Sequence, residues 1–225
     1  MDPLGRRDPW RRPHHADLRQ PSRRLAHQEP AHPWVRLLPA DLLRNKIELY
    51  QAHQVIPFPG GQFLEYAFYH GQTPAYMAAA RDAGYEWIEV SDNVVDLTAE
   101  EKGDLIRTAC QTYGLHVLGE VGSKVEDTDP AALIADIQRC QAAGAWKVLV
   151  EAAELFGEDL NEALIEQITA SVARDDLLFE VPGPWIPDIR RCDQNATRAW
   201  LIQRFGPSVN LGNVMPEDVI EVETM

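Results

Sequence analysis

The sequence predicts an α/β fold built from repeated strand–helix units around a parallel sheet, with the size of most of a (β/α)8 TIM barrel. Two observations predict this fold: short apolar strands recur at a period near 30 residues, and a helix with recognisable ends fills each gap between them. A strand, a helix and a further strand at this spacing form right-handed βαβ units, which build parallel sheets. With 225 residues, the chain approaches the roughly 250 residues typical of a TIM barrel.

Four of the predicted strands end on a glutamate, and these acids set the period. Glu89, Glu120, Glu151 and Glu180 are separated in turn by 31, 31 and 29 residues. Because the carboxyl ends of parallel strands meet at one face of a sheet, we expect these acids to share the face that carries the chemistry. The six strands predicted in total are QVIPFPG, WIEVSD, HVLGEVG, KVLVEAA, LLFEVPG and SVNLGNV.

The helices between the strands are predicted from their ends. Thr98 and Glu101 have the spacing of a capping box. Thr73 and Asp129, each followed by a proline, are predicted N-caps. Left-handed C-terminal caps are expected where a glycine follows the apolar run, at Gly84, Gly114, Gly144 and Gly206.

The charge of the chain argues against two classes of partner. A net charge of −14 repels nucleic acid and anionic membranes, so neither is expected as the main partner. No apolar run reaches the roughly 20 residues of a membrane span, and the N-terminus lacks the apolar core of a secretory signal. We therefore expect a cytoplasmic protein. The chain has three cysteines and no CxxC spacing, which predicts that the thiols are reduced.

Residues 1–35 form an arm whose composition differs from that of the rest of the chain. Up to residue 36 there are eight arginines, six prolines and no lysine against four acids, so this segment is net +4 and the remainder −18. Proline and arginine at this density do not support a packed core. The prediction is a basic arm at 1–35, disordered or unrelated to the barrel, followed by a barrel domain at 36–225.

Five segments between about Val35 and the end carry longer patterns: PFPGGQFLEYAF, WIEVSDN, LGEVGSK, LLFEVPG and FGPSVNLGNV. They resemble the patterns PGGTxxExA, EISDG, TEVGKK, FEAP and FGxxVNLxNI of the phosphosulfolactate synthase family, which includes plant heat-stress-associated relatives. The resemblance implies a TIM-barrel carbon–sulfur lyase that adds sulfite to phosphoenolpyruvate, a small phosphorylated substrate. In that family the step depends on Mg²⁺ and leads toward coenzyme M or related sulfonates.

The implied reaction needs a metal and an acid. Sulfite addition at C3 of phosphoenolpyruvate drives negative charge onto the carboxylate, and C2 must then take a proton. The catalytic lysine of the family lies in its TEVGKK pattern, which maps onto Lys124, with Glu120 beside it at the strand end. Mg²⁺ prefers hard oxygen ligands, which are expected from Glu89, Asp92, Glu151 and Glu180. Two alternatives stay open: the acids form salt bridges within the mouth, and Lys124 is a solvated loop residue.

The substrate phosphate is expected at the barrel mouth as well. Phosphate commonly binds to the loops after strands 7 and 8 of TIM barrels, and glycines let backbone amides approach an anion. Alternatively the glycines only form tight turns and the arginines a solvated helix start. The candidate substrate-binding residues are Gly60, Gly61, Gly183, Arg190, Arg191, Asn210 and Gly212.

The chain departs from the family pattern at three positions. Ala153 stands where an arginine is usual, Gln62 where a threonine is usual, and Asn93 where a glycine is usual. An arginine could hold an anion, so its loss favours a second hypothesis, a non-catalytic stress-associated barrel of the same family. A third hypothesis is another phosphate-handling TIM-barrel enzyme.

The family barrel has eight strands, two more than the six predicted here. The DKG and K-x-GWGTS motifs of its first two strands are absent before Val35, and the match resumes at RLLPADLLRNKIELY. We therefore expect an incomplete barrel with about six of eight units. The arm is then either an out-of-frame translation or a genuine disordered extension. Open sheet edges invite pairing between chains, so a homo-oligomer is also considered.

Overall fold

The computed structural model describes residues 39–122, 129–155, 160–183 and 189–225, together with the backbone of residues 26–29. The six strands predicted from the sequence are all present. A seventh, β1, precedes them. The strands are β1 (Ala26–Glu29), β2 (Ile56–Pro59), β3 (Trp87–Val90), β4 (His116–Val121), β5 (Lys147–Val150), β6 (Leu177–Glu180) and β7 (Leu211–Gly212).

Helices fill the intervals between the strands. Among the residues that the structure describes, 3-10 helices at Arg174–Asp176 and Pro216–Asp218 precede β6 and the last helix. None of the helices within the described ranges is both long and apolar enough to cross a membrane. The α-helices are α1 (Ala40–Ala52), α2 (Gln62–Tyr69), α3 (Thr73–Ala83), α4 (Ala99–Tyr113), α5 (Pro130–Ala143), α6 (Ala152–Leu155), α7 (Glu162–Ser171), α8 (Arg191–Phe205) and α9 (Val219–Val222).

Local sequence signals account for most of the helix ends. The Thr98 side chain accepts a hydrogen bond from the Glu101 amide, and the Glu101 carboxylate accepts one from the Thr98 amide, so the capping box is confirmed. Asp129 caps α5 through the Ala132 amide. The prediction for Thr73 was wrong, because Thr73 is the first helical residue and Gln72 precedes it.

The glycine caps follow the prediction at three of the four positions. Gly84, Gly114 and Gly144 end their helices in the left-handed conformation. At Gly206 the φ is 87° but the ψ is 174°. The chain there turns out of α8 in an extended conformation that glycine tolerates, and the prediction of a left-handed cap was wrong.

All strand pairs are parallel, as predicted, and they follow the chain order. β3 to β7 form one five-stranded sheet, and β1 pairs with β2 in a second. β2 lies beside β3, but no backbone ladder joins them in the part of the chain that the structure describes. The fold is therefore a (β/α)8-type barrel that is incomplete and not closed.

The register of the sheet is staggered. Glu89 is paired with Leu118, and Glu120, two residues further along β4, is paired with Leu149 of β5. Glu120 therefore lies two residues beyond Leu118, the partner of Glu89, and Glu151 lies two residues beyond Leu149, the partner of Glu120. A stagger of this kind accompanies the strand tilt that a barrel requires.

The sheet separates two apolar cores. Alternate residues such as Val148 and Val150 of β5 pack against the helices in the larger core. The residues between them point inward, where Leu149 joins Trp87 and Leu118 in a smaller core with Ile56 and Phe58 of β2. Above this inner layer the strands end on their acids.

Strand β1 lies within the arm, where the sequence analysis predicted no strand. Its backbone pairs with β2 over the four positions from Ala26↔Ile56 to Glu29↔Pro59. A parallel ladder joins backbone groups, so a segment without an alternating apolar pattern can supply it where a neighbouring strand has a free edge. The rest of the arm lies outside the described residues, and the prediction for it stays a prediction.

Candidate active site

Three of the strand-end glutamates converge into a buried cluster, here called the carboxylate site: Glu120, Glu151 and Glu180. Each offers one carboxylate oxygen, and these three oxygens all lie within 4.8 Å of one another. The side chains are only 3–6% exposed. Like charges this close and this poorly hydrated repel strongly unless protons or a cation compensate them.

The composition of the carboxylate site fits a hard divalent cation. Mg²⁺ takes oxygen ligands and usually keeps several waters, so one to three carboxylates are enough to hold it. Glu120 and Glu180 lie in β4 and β6, and Glu151 directly follows β5, where its amide still donates to the Val121 carbonyl of β4. Their positions are thus fixed by the sheet rather than by a loop.

Glu89 lies beside the carboxylate site without belonging to the group of three. Burial raises the pKa of its carboxyl well above the ordinary value, and the nearby Glu120 raises it further. One of its oxygens accepts a hydrogen bond from the Gly61 amide at 2.8 Å. The contact spans the gap between β2 and β3, where the sheet has no ladder.

Asp92, the other predicted metal ligand, is directed to a different partner. Its carboxylate accepts a hydrogen bond at 2.7 Å from Lys102 Nζ of α4, and both side chains are largely buried. Burial raises the pKa of Asp92, and the ammonium group of Lys102 partly offsets this effect. The structure does not bring Asp92 into the group of three carboxylates.

Gly61, which follows β2, approaches Glu89 of β3 and the adjoining Ser91 closely. A Cβ atom on Gly61 would lie 1.9 Å from Ser91 Oγ and 2.8 Å from a Glu89 oxygen. The Gly61 amide is directed at Glu89, and Gly60 beside it is buried. An anion that used the Gly61 amide would therefore have to displace Glu89.

The loops after β6 and β7 contain the other predicted substrate-binding residues. Gly212 is paired with Glu180 in the sheet, and a Cβ on it would lie 3.3 Å from the Cγ of that glutamate. Gly183, three residues past Glu180, is buried. Asn210 points elsewhere, since its amide donates to the carbonyl groups of Asp175 and Leu177 at the amino end of β6.

The two predicted arginines already have acidic partners. Arg190 forms a bidentate pair with Asp193 at 3.0 Å on the surface. Arg191 contacts the buried Asp218 and, at 3.7 Å, Glu221. Either arginine would have to exchange these partners to bind a phosphate.

Lys124, the predicted catalytic lysine, lies outside the described residues. Gly122, the last residue described before it, has a φ of 111°, and a Cβ there would lie within 3 Å of Glu151 and Glu154 side-chain atoms. Glu154 is itself buried, in the short helix α6 that follows Glu151. The chain therefore leaves β4 in close contact with the side chains of Glu151 and Glu154.

The sequence analysis gave no role to Glu65, although this residue lies inside the quoted segment PFPGGQFLEYAF. Its carboxylate is 1% exposed. It accepts hydrogen bonds from Ser91 Oγ at 2.5 Å, from the Val94 amide at 2.6 Å and from the Val95 amide at 2.9 Å. The signal in the sequence was an acid among the apolar residues of α2, beside Leu64 and near Ala67. The structure buries all three residues.

Residues 33–225 match the family described as (2R)-phospho-3-sulfolactate synthase (ComA). The chain belongs to this family. The start of the match agrees with the resemblance predicted from about Val35, and it leaves nearly all of the arm outside.

Three relatives illustrate the spread of the family. The chain is 30% identical over 197 residues to the phosphosulfolactate synthase of Methanothermobacter thermautotrophicus, covering 82% of this chain and 72% of that protein. It is 27% identical to the Bacillus subtilis phosphosulfolactate synthase, over 81% and 72% of the two chains. The Arabidopsis thaliana protein HEAT-STRESS-ASSOCIATED 32 is 22% identical, over 78% and 66%.

Solved structures are more distant. A 2,3-dimethylmalate lyase of the PEP mutase/isocitrate lyase superfamily aligns with a TM-score of 0.44 and 13% identity, over 83% of this chain and 74% of that chain. A phosphonopyruvate hydrolase in complex with oxalate and Mg²⁺ also aligns with a TM-score of 0.44, at 12% identity over 90% and 91%.

Proposed function

We propose that this protein catalyses the Mg²⁺-dependent addition of sulfite to phosphoenolpyruvate, giving phosphosulfolactate. Membership of the phosphosulfolactate synthase family supports the reaction class. The observation that carries the proposal is the carboxylate site, three buried glutamates whose oxygens lie within 4.8 Å at the carboxyl ends of neighbouring strands. The proposal places the reaction in the cytoplasm, on a small phosphorylated substrate.

In this proposal the carboxylate site holds the metal. Glu120, Glu151 and Glu180 would be its protein ligands, and bound Mg²⁺ would stabilise the negative charge that develops on the substrate carboxylate. Glu89, with its raised pKa, would lie beside the site as a neutral or shared-proton neighbour. Asp92 would act only if it left Lys102.

The proton and the phosphate are assigned to the surrounding loops. Lys124 would deliver the proton to C2, since it comes three residues after the end of β4, the strand that carries Glu120. Gly183 and Gly212 flank Glu180 and could present backbone to the phosphate, as could Gly60 next to Gly61. A phosphate at Arg190 or Arg191 would replace their present carboxylate partners.

The experiment incubates the purified chain with phosphoenolpyruvate, sulfite and MgCl₂ and follows the phosphorus NMR signal. A new phosphate monoester should appear, and it should not appear when sulfite is omitted or EDTA is added. Lys124→Ala should lower kcat by roughly 10² or more, as the loss of a general acid does. Lys46→Ala, on α1, is the matched control and should leave kcat unchanged.

A second candidate is a non-catalytic barrel of the same family. The observation in its favour is Ala153, which lies in α6 directly after Glu151 and Ala152, where the family usually has an arginine. If the protein bound Mg²⁺ but formed no phosphosulfolactate, this candidate would replace the first. A kcat that fell less than about threefold in Lys124→Ala would remove that lysine from the mechanism.

A further inference from the structure

The loop between β3 and α4, residues 91–98, is held in place by a buried carboxylate from outside it. Glu65 of α2 accepts hydrogen bonds from the hydroxyl of Ser91 and from the amides of Val94 and Val95. Three hydrogen bonds to one carboxylate in a dry environment are strong, because water does not compete for them. The loop backbone is therefore fixed on both sides of Asn93.

A second buried charge fixes the same loop from α4. Lys102 is 6% exposed and donates to Asp92 at 2.7 Å. Asp92 immediately precedes Asn93, so Glu65 and Lys102 together restrain the residues next to it. Glu65 and Lys102 together make four polar contacts to this loop, although it belongs to neither the sheet nor a helix.

Asn93 uses this fixed position to reach the carboxylate site. Its side-chain Nδ2 donates to Glu120 Oε1 at 2.5 Å, and the side chain is half-buried. A glycine, which is usual at this position of the pattern, has no side chain and offers no such donor. This contact is thus a feature of the present chain and not of the pattern.

We propose that Asn93 is a positioning residue that holds the Glu120 carboxylate in the orientation in which one of its oxygens lies within 4.8 Å of Glu151 and Glu180. The inference rests on the proposed function, since it concerns the metal held by these three residues. A carboxylate on a glutamate side chain can rotate about its last bond at little cost. The hydrogen bond from Asn93 fixes one oxygen of Glu120, which removes this freedom and orients the carboxylate before the metal binds.

The consequence is tighter metal binding than Glu120 could provide alone. Hydrogen-bonding partners of metal ligands typically change the metal affinity by 10–100-fold when they are removed. Replacement of Asn93 by alanine removes the donor and leaves the anchoring by Glu65 and Lys102 intact. We therefore expect a loss of metal affinity with little loss of stability.

The test uses Mn²⁺ as the probe, with free and bound ion distinguished by electron paramagnetic resonance of the purified full chain. Asn93→Ala should raise the Kd for Mn²⁺ about tenfold and broaden the signal of the bound ion, because Glu120 becomes less well ordered. Asn93→Gly, which restores the usual residue of the pattern, should behave in the same way. Val94→Ala is the matched control, since the neighbouring Val94 side chain is 70% exposed. It should bind like the wild type.

The outcomes separate this inference from the proposed function. If Asn93→Ala bound Mn²⁺ within about twofold of the wild type while Glu120→Gln lost binding, the metal site would stand and the role of Asn93 would be wrong. An equal loss of affinity in Val94→Ala would also overturn it, since the effect would then come from the loop backbone. A wild type without saturable Mn²⁺ binding would overturn the metal site and this inference together.

Discussion

Replacing Glu151 by glutamine should stabilise the metal-free protein and weaken its response to Mg²⁺. Glu151 follows the central one of the three strands that carry the carboxylate site, so it faces both Glu120 and Glu180. Glutamine keeps the size and one acceptor oxygen of glutamate but carries no charge. The substitution therefore removes repulsion with little change in packing.

The expected magnitude follows from the distances. Two unit charges 4.8 Å apart repel by about 3.5 kcal/mol at an effective dielectric constant of about 20. The protein does not experience the full sum over two neighbours, because a buried acid that is crowded by others takes up a proton instead. We expect Glu151→Gln to raise the free energy of unfolding by roughly 1–3 kcal/mol in EDTA.

The same repulsion predicts how the stability of the wild type depends on pH. The pKa of Glu89 is raised in the folded state by burial and by Glu120. A raised pKa means that the folded protein binds this proton more tightly than the unfolded chain does. The stabilisation is complete below the ordinary carboxyl pKa of 4.5 and is lost as the pH rises through the folded-state value. Metal-free protein should thus lose stability over this range.

The assay is urea unfolding followed by tryptophan fluorescence, with EDTA and with MgCl₂. For the wild type, Mg²⁺ at a hundred times its Kd should add about 2.7 kcal/mol to the free energy of unfolding. Glu151→Gln should be more stable in EDTA and gain much less from Mg²⁺. Glu86→Gln is the matched control, because Glu86 is exposed at the opposite, amino end of β3.

Three results would each contradict this reasoning. If Glu151→Gln were less stable than the wild type in EDTA, the carboxylates would not repel each other in the metal-free protein. An equal gain from Mg²⁺ in Glu151→Gln and in the wild type would place the metal elsewhere. A change of the same size in Glu86→Gln would assign the effect to net charge.

Two further predictions concern packing and thiol chemistry. Gly61→Ala should destabilise the protein by about 2–4 kcal/mol in urea unfolding, because the new Cβ would lie 1.9 Å from Ser91 Oγ. Gly103→Ala inside α4 meets only a flexible arginine side chain and should be neutral or stabilising by up to about 1 kcal/mol. Similar losses in both variants would contradict the close approach at Gly61. Burial raises the pKa of the Cys140 thiol to about 11, so iodoacetamide at about pH 8 should leave it unmodified in the native protein and alkylate the exposed Cys192. Peptide mass spectrometry measures both, and equal alkylation would contradict the burial of Cys140.

Short-range signals in the sequence determined the elements of the fold. The strands from Ile56 to Gly212 and the cap of α4 at Thr98 lie where apolar runs, a capping box and glycines predicted them. These features depend on residues within one turn or one strand, so they can be read from the sequence. The spacing of about 30 residues also determined that the strand-end acids share one face, since parallel strands align their carboxyl ends.

The tertiary structure decided which acids meet. Glu120, Glu151 and Glu180 form the group of three, whereas Glu89 lies beside Glu120 and accepts from the Gly61 amide, and Asp92 accepts from Lys102. The stagger between strands and the packing of α4 against the sheet set these partners, and neither is encoded in the residues next to each acid. The sequence alone could not distinguish a ligand from its neighbour.

The same reason explains the features that the sequence analysis missed. Strand β1 forms because the edge of β2 offers backbone groups, a property of the assembled sheet and not of residues 26–29. Glu65 binds Ser91, which is 26 residues away in the sequence. Asn93 binds Glu120, which is 27 residues away. Contacts over such separations exist only once the helices are packed on the sheet, because it is the folded geometry that brings donor and acceptor within 3 Å of each other.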